Sequence, residues 1–248
     1  MKRSIEQAAV TLAACRSAVA LTGAGISVES GIPPFRGKGG LWEKIDPVKY
    51  AHIDAYARDP AAVWRVLFME LKTVLENARP NEGHKGLYDL ENMGILKTII
   101  TQNIDGLHQQ AGSRDVVEFH GTFASLSCMS CGHSKDSNLV DLETLPPRCA
   151  CGGVLRPDVV MYGEIIPLDH LQRSQMLAAG CDAMLVVGTS ATVQPAAYLP
   201  VIAKRSGAVI LEINAEPTPL TDRISDITLI GTAGDIMQKL VAAIKLLK

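Results

Sequence analysis

The chain contains a short apolar run that stops at two closely spaced glycines. Residues 18–21 are all apolar and are followed, after Thr22, by Gly23-Ala24-Gly25. An uninterrupted apolar run predicts a parallel strand buried on both faces. Because glycine lacks a Cβ, the turn after this strand can adopt positive φ and bring backbone N–H groups close to a phosphate. The pair also fits an ordinary strand-to-helix turn, since Val28 stands where a dinucleotide fingerprint has its third glycine.

The composition narrows the class of protein. A chain of 248 residues suffices for one large α/β domain, or for such a domain with a smaller insert. Apolar residues make up 47% of the chain and aromatic residues only 4%, which favours an aliphatic core of doubly buried strands. The net charge of −2 and the scattered basic residues argue against direct nucleic-acid binding.

The N-terminus superficially imitates an export signal, but Glu6 and Gln7 leave its apolar core too short. We interpret it instead as an amphipathic helix with Ser4 as N-cap and Gln7 closing a capping box. Its apolar face comprises Ile5, Ala8, Ala9 and Leu12. No apolar run approaches the ~18 residues that span a bilayer, so we expect no membrane partner. A cytoplasmic protein is expected, in which the six cysteines are free thiols or metal ligands.

Apolar runs alternate with helical patterns along most of the chain. Strands are predicted over residues 97–101, 116–119, 183–187, 209–213 and 227–230, and helices over residues 61–77, 81–93 and 197–205 and from residue 235 onward. This alternation predicts an α/β fold with a doubly wound parallel sheet of the Rossmann-like type. Polar residues that follow such strands are expected to line one crevice at the carboxyl edge of the sheet.

Two stretches interrupt this alternation. Residues 38–80 contain helical runs but no long apolar strand, and residues 122–154 contain four cysteines among many turn residues. We therefore predict that residues 1–37, 81–121 and 155–248 form a Rossmann-like nucleotide-binding domain. The first interruption is predicted to be a helical module with a cofactor loop, the second a zinc-binding module, and together they form a smaller domain.

The second interruption carries a metal-ligand pattern. Cys128-x2-Cys131 and Cys149-x-Cys151, separated by seventeen residues, match two short knuckles around one tetrahedral zinc. Four thiolates close the coordination shell, so the zinc is predicted to be structural. Alternatively, the cysteines act as small buried apolar side chains, or His133 replaces one thiolate. Cys15 and Cys181 lie outside the pattern and are expected to be free thiols.

Several polar residues follow predicted strands. Gln102, Asn103 and Asp105 come after the strand at 97–101, and His120 comes after the strand at 116–119. An imidazole has a pKa near neutrality and can remove a proton at working pH. From the residues alone, an ordinary polar loop fits the first three positions as well as a binding site does, and a histidine such as His120 is more often structural than a base.

Together, these motifs resemble those of the sirtuin family of NAD-dependent protein-lysine deacylases. The matching segments, in family order over nearly the whole chain, are 23–27 (Gly-Ala-Gly-Ile-Ser), 31–36 (Gly-Ile-Pro-Pro-Phe-Arg), 101–105 (Thr-Gln-Asn-Ile-Asp), 120–121 (His-Gly) and the four cysteines. The resemblance implies an enzyme that consumes NAD, removes acetyl groups from protein lysines and releases nicotinamide and O-acetyl-ADP-ribose. A protein ADP-ribosyltransferase is the alternative at the same site. A non-catalytic NAD-binding module is disfavoured, because it needs neither His120 nor Asn103.

The resemblance also implies roles for single positions. His120, as the base that deprotonates a ribose hydroxyl, and Asn103 form the catalytic pair, and Asp105 contacts the nicotinamide amide. The implied cofactor-binding residues are Gly23, Ala24, Gly25, Ser27, Phe35, Arg36, Trp42, Gln102, Asn103, Ile104, Asp105, Gly188, Thr189, Ser190, Asn214, Ala215, Glu216 and Ala233. The implied ligands of one structural Zn²⁺ are Cys128, Cys131, Cys149 and Cys151. An acyl-lysine peptide of a protein substrate is expected to add a strand alongside Val159, Val160, Met161, Tyr162, Gly163 and Glu164.

An acyl preference follows from the same resemblance. Sirtuins that remove succinyl or malonyl groups carry a Tyr-x-x-Arg pair in the helical module, and an ungapped alignment places Leu67 and Glu70 at these positions. With both partners missing and a carboxylate in place of the cation, an acidic acyl group is disfavoured. We expect neutral acyl groups, acetyl first, with Arg65 and Arg58 as the nearest alternative cations.

Overall fold

The protein is described here by a computed structural model that covers residues 2–37 and 39–247. Met1, Lys38, where the predicted helical module begins, and Lys248 lie outside the described residues. The strands are β1 (Ala18–Thr22), β2 (Leu96–Thr101), β3 (Val116–Glu118), β4 (Gly121–Cys128), β5 (Ser134–Asp136), β6 (Leu155–Val159), β7 (Ala183–Val187), β8 (Val209–Asn214) and β9 (Ile227–Ile230). The helices are α1 (Lys2–Ala14), α2 (Leu41–Lys44), α3 (Pro47–Tyr50), α4 (Ile53–Arg58), α5 (Pro60–Val63), α6 (Met69–Asn77), α7 (Glu82–Asn92), α8 (Leu107–Gln110), α9 (Leu168–Gly180), α10 (Leu199–Arg205) and α11 (Ala233–Lys245).

Six strands form a parallel sheet in the order β3-β2-β1-β7-β8-β9. The chain moves outward from β1 through β2 to β3 and then returns to the other side of β1. Ala18 and Ala20 of β1 pack in a core with α1, α7 and α11, whereas Val19 and Leu21 pack in a second core with α9 and α10. Helices on both faces bury every residue of β1, which confirms the predicted doubly wound sheet.

Two local predictions need correction. Helix α1 begins by Lys2, so Ser4 lies inside the helix and the predicted N-cap and capping box are wrong. The predicted apolar face is correct, because Ile5, Ala8, Ala9 and Leu12 are all buried. Helix α9 was not predicted from the sequence, because only Ser174 and Ala178 are buried in it and its apolar periodicity is weak. None of the described helices combines the length and the hydropathy of a membrane-crossing segment.

A smaller core joins α2 to α6 with β4 and β6. Strands β5, β4 and β6 form an antiparallel sheet, and it packs with α2 to α6 around a cluster that includes Tyr56, Trp64, Phe68, Phe123 and Leu155. The helical run predicted at 61–77 is present, with a π-helical segment at Trp64–Phe68 between α5 and α6. Strand β6, which the sequence analysis placed in the larger domain, pairs with β4 and turns Leu155, Pro157 and Val159 inward.

Candidate active site

A cavity of about 660 Å³ lies at the carboxyl edge of the six-stranded sheet, where the smaller core meets it. The structure brings most of the predicted site residues to its wall. They are Gly23, Ala24, Gly25, Phe35, Arg36, Trp42, Gln102, Asn103, Ile104, His120, Val159 to Glu164, Gly188, Thr189, Ser190, Asn214, Ala215, Glu216 and Ala233. The loops after β1, β2, β3, β7, β8 and β9 thus converge on one cavity, as expected for an open parallel sheet.

The glycines after β1 allow two loops to approach each other closely. A Cβ on Gly25 would lie 2.7 Å from the carbonyl oxygen of Gly188, and a Cβ on Gly23 would lie 2.8 Å from Cβ of Thr189. The backbone N–H of Gly25 donates to that same Gly188 oxygen at 2.7 Å. Gly23 has a φ of −137°, and Gly188, with a φ of 61°, is the residue in the left-handed region. Gly23 and Gly25 are therefore required because the two loops pack closely, and not because of the positive φ expected from the sequence.

Asn103 lies at the wall of the cavity on a buried polar network. Its Nδ2 group donates to the backbone oxygen of Gly23 at 3.2 Å and to Oγ of Ser27 at 3.1 Å. Ser27 in turn donates to Oδ2 of Asp105 at 2.7 Å, and burial raises the pKa of the Asp105 carboxyl. Ser27 and Asp105 are absent from the lining, so these two predicted residues lie behind Asn103.

His120 presents one ring nitrogen to the protein. Its Nδ1 lies 3.1 Å from the backbone oxygen of Gln102, which can only accept, so Nδ1 carries the ring proton and Nε2 has a lone pair. Burial lowers the pKa of His120, although the Gln102 carbonyl opposes this shift. The ring is therefore neutral at pH 7 and can accept a proton. Gly121 must follow it, since a Cβ there would lie 1.9 Å from the backbone oxygen of Asp158.

The end of the cavity near β7, β8 and β9 is polar. Nε2 of Gln102 donates to Oγ1 of Thr189 at 2.9 Å, and Nδ2 of Asn214 donates to the backbone oxygen of Glu216 at 2.7 Å. The Glu29 carboxylate accepts from Oγ1 of Thr232 at 3.0 Å and from the backbone N–H of Gly234 at 2.7 Å, which suits the N-terminus of α11.

The opposite end of the cavity is apolar and comes from the smaller core. Its residues include Phe35, Trp42, Ala51, Leu67, Phe68, Leu71, Ile104, Val159 and Met161. Leu67 lines the cavity as expected, but Glu70 is exposed and does not, and the neighbouring Leu71 does. The expected repulsion between the Glu70 carboxylate and an acidic acyl group is therefore wrong, because Glu70 does not face the cavity. Arg58 and Arg65 are also exposed and absent from the lining, where Arg36 is the one Lys or Arg side chain among the described residues.

The segment predicted to bind a peptide is already fixed by the protein. The backbone N–H of Val160 donates to the oxygen of His120 at 2.8 Å, and that of Tyr162 donates to the oxygen of Ala51 at 2.9 Å. The N–H of Met161 donates to the Glu164 carboxylate at 2.8 Å. An added peptide strand must pair through other backbone groups of this segment, because these three N–H groups are occupied.

Sequence reasoning missed a set of lining residues. These are Val28, Glu29, Pro34, Gly37, Ala51, Phe68, Leu71, Ile166, Val193, Gln194, Pro195, Ile213, Gly231 and Thr232. Some of them had a usable signal: Gly231 and Thr232 directly follow β9 and thus belong to the carboxyl edge of the sheet. The residues on α6 and the π-helical segment had none, because their orientation depends on how the smaller core packs.

The four predicted zinc ligands cluster in the smaller core. Their sulfur atoms all lie within 4.8 Å of one another, with separations of 3.5 Å for Cys128 and Cys151, 3.8 Å for Cys131 and Cys149 and 3.4 Å for Cys131 and Cys151. A tetrahedral site with Zn–S bonds of about 2.3 Å has S···S edges of about 3.8 Å, so the four thiols fit one Zn²⁺. His133 is exposed and not part of the cluster.

The chain is similar in sequence to the members of one protein family. Residues 23–195 match the model of the Sir2 family. An NAD-dependent protein deacylase 2 of Pyrobaculum aerophilum is 49% identical over 94% of this chain and 93% of its own length. An NAD-dependent protein deacylase of Pyrococcus furiosus is 48% identical over 94% of this chain and 95% of its own.

Solved structures of Sir2 proteins have the same fold as this chain. A Sir2 homologue variant in complex with ADP-ribose superposes with a TM-score of 0.92 at 44% identity, covering 97% of this chain and 96% of that one. A Sir2 protein bound to a myristoylated histone peptide has a TM-score of 0.82 at 39% identity, covering 100% of this chain and 98% of that one. On the matched motifs, the fold and these identities, the chain belongs to the Sir2 family.

Proposed function

We propose that this chain is an NAD-dependent protein-lysine deacylase that takes acetylated protein lysines as substrates. One observation carries the proposal: His120, Asn103 and the loops after six strands all line the same cavity. The ring of His120 is neutral, and its Nε2 is free to accept a proton. The names of the related proteins, NAD-dependent protein deacylases of similar length, support it.

NAD would supply the ribose to which the acyl group is transferred, with release of nicotinamide. The close-packed loops at 23–25 and 188–190 would hold the cofactor near its phosphates, and Asn214, Ala215, Glu216 and Ala233 would hold its adenosine half. His120 would accept a proton from a ribose hydroxyl at Nε2. Because Nδ2 of Asn103 is bonded within the protein, Oδ1 is the atom with which this residue would bind a ribose hydroxyl or a water. Ser27 and Asp105, which do not line the cavity, would hold Asn103 in place through the hydrogen bonds from Asn103 to Ser27 and from Ser27 to Asp105.

The apolar end of the cavity would take the acyl chain. Its wall of Leu67, Phe68 and Leu71 offers no cation to an acyl carboxylate, so neutral acyl groups fit it and acetyl comes first. Binding of a myristoylated peptide by a related protein supports a wall of this kind. The peptide backbone would lie alongside residues 159–164.

The smaller domain would be held by one structural Zn²⁺ on the four thiolates. We propose that it comprises residues 38–80 together with residues 121–159, since both segments contribute to one core and β6 pairs with β4. No cysteine among the described residues is paired in a disulfide, which fits a reducing compartment, and we propose the cytoplasm.

Mass spectrometry of an acetyl-lysine peptide, incubated with the protein with and without NAD, tests the function. The expected result is loss of the acetyl group only with NAD, together with formation of nicotinamide and O-acetyl-ADP-ribose. A peptide or protein that instead gains ADP-ribose would establish the transferase alternative. Incubation of the matching unacetylated peptide is the control for NAD hydrolysis.

A further inference from the structure

Two histidines that do not line the cavity are buried directly beneath it. His84 on α7 is 0% exposed and His108 on α8 is 1% exposed, and their ring centroids are 4.9 Å apart. The proposed reaction uses neither ring. Each ring nevertheless begins a hydrogen-bond chain that leads to Asn103.

The chain that begins at His108 has three links. Nε2 of His108 lies 2.9 Å from Oγ1 of Thr22, and Oγ1 of Thr22 donates to Oγ1 of Thr101 at 2.9 Å. The backbone N–H of Asn103 donates to that same Thr101 hydroxyl at 3.1 Å. Thr22 and Thr101 are the last residues of β1 and β2 and are paired in register. These hydrogen bonds therefore join the ends of β1 and β2 at the point where the loop that carries Asn103 begins.

The hydroxyl of Thr22 decides which atom is the donor in each of these hydrogen bonds. Thr22 has a single hydroxyl proton and gives it to Thr101, so its oxygen must accept a proton from Nε2 of His108. Nδ1 of His108 is buried and has no partner within the described residues, which suits a nitrogen that carries no proton. Burial holds the pKa of His108 well below its ordinary value, so the ring keeps one proton, on Nε2.

A second chain reaches the side chain of Asn103. Nδ1 of His84 accepts from the backbone N–H of Asn81 at 3.3 Å, which places the ring proton on Nε2, 3.4 Å from Oγ of Ser27. Ser27 accepts from Nδ2 of Asn103 at 3.1 Å. The side chain of Asn103 is thus held by Gly23 and Ser27 in the loop after β1, and its backbone is held by the hydrogen bonds that begin at His108.

We propose that His108 is a positioning residue that fixes the backbone of Asn103 through the hydroxyls of Thr22 and Thr101. It contacts neither the cavity nor a reacting atom. The proposal rests on the proposed deacylase function, in which Asn103 orients a ribose hydroxyl or a water. A misplaced Asn103 would slow the chemical step, while the loops at 23–25 and 188–190 would still bind the cofactor.

Matched pairs of variants test the hydroxyl chain. Thr22→Val removes the hydroxyl at nearly constant shape, whereas Thr22→Ser keeps it. His108→Leu removes the donor, whereas the amide of His108→Gln keeps an N–H near the Nε2 position. We expect Thr22→Val and His108→Leu to lower kcat about tenfold or more with KM for NAD within about twofold, and the conservative partners to retain most of the kcat. The double variant should be no slower than the worse single one, because both break the same chain.

Nuclear magnetic resonance of the wild-type rings gives a readout that does not depend on activity. Long-range ¹H–¹⁵N correlations should show His108 protonated at Nε2 from pH 6 to 8, and Thr22→Val should shift this nitrogen, whereas Thr73→Val on the exposed side of α6 should not. An Nδ1-protonated ring, or equal kcat values for Thr22→Val and Thr22→Ser, would overturn the proposal. If the wild type does not deacylate, the proposed function fails. The tautomer of His108 and its response to Thr22→Val then still decide whether these hydrogen bonds link His108 to Asn103.

Discussion

The backbone oxygen of Gln102 lies 3.1 Å from Nδ1 of His120 and thereby fixes which nitrogen of this ring is free. Gln102 follows β2 and His120 follows β3, so two neighbouring strands of the parallel sheet set the orientation of the proposed base. Because the bond involves only the backbone of Gln102, it does not depend on that residue's side chain.

Replacing His120 by Ala should lower kcat by about 10²–10⁴ and leave ADP-ribose affinity nearly unchanged, because the base acts after the cofactor is bound. Since burial lowers the pKa of His120, kcat should stay constant from pH 8 down past about 6.5, the ordinary value, and fall only at lower pH. Steady-state kinetics and calorimetric ADP-ribose titration measure the two effects. His170→Ala, on α9 outside the cavity lining, is the control. Parallel loss of ADP-ribose binding would make His120 a cofactor ligand instead.

The buried histidines predict acid destabilisation. Burial lowers the pKa of His84 from 6.5 to about 4, and the pKa values of His108 and His120 are also lowered. Between the folded and unfolded pKa values the unfolded chain binds more protons, so the free energy of unfolding falls as pH drops below about 6.5. For His84 alone the loss by about pH 4 is roughly 3 kcal/mol.

Urea unfolding at a series of pH values between 4 and 8 measures this loss. His84→Gln, which cannot titrate, should flatten the slope. An unchanged slope in His84→Gln would show that this ring is protonated in the folded protein.

The zinc assignment predicts one Zn²⁺ per chain and a loss of stability without it. Cys149→Ser leaves three thiolates and should release the metal and lower Tm, because binding of a structural zinc contributes directly to folding. Metal content by mass spectrometry and thermal unfolding check both effects. His133→Ala should retain the metal, since this side chain lies outside the cysteine cluster. A fully folded and active metal-free protein would contradict the assignment.

The sequence predicted the parts of the fold that depend on local pattern. The strands that became β1, β2 and β7 to β9 were recognisable because doubly buried strands are continuous apolar runs. The four-cysteine site was recognisable because its ligand spacing is set by tetrahedral geometry. A smaller domain of residues 38–80 and 122–154 was predicted, but the place of β6 in its core was not, because β6 joins that core through contacts between segments far apart in the chain, such as Trp64 Nε1 to the Leu155 oxygen.

The same limit explains the error at Glu70. A sequence alignment fixes the spacing of residues on a helix but not the rotation of that helix, and a shift of one residue turns a side chain by about 100°. The π-helical segment at Trp64–Phe68 lies directly before α6 and adds to this rotation. As a result Leu71, rather than Glu70, lines the cavity.

The orientation of α6, with Leu71 in the cavity wall, determines which acyl groups we expect the enzyme to prefer. The wild type should have a higher kcat/KM for an acetyl-lysine than for a succinyl-lysine peptide at saturating NAD, because a succinyl carboxylate would be desolvated against Leu67, Phe68 and Leu71. Leu71→Arg should raise the succinyl-to-acetyl ratio about tenfold or more, since a hydrogen bond to a charged group contributes about 1.5–3 kcal/mol. Glu70→Arg places the same charge one residue away on the exposed side of α6 and should change the ratio little. A larger effect from Glu70→Arg than from Leu71→Arg would show that the helix is rotated in the enzyme–substrate complex. A succinyl preference in the wild type would mean that another cation reaches the acyl chain, with Arg36 the first to replace.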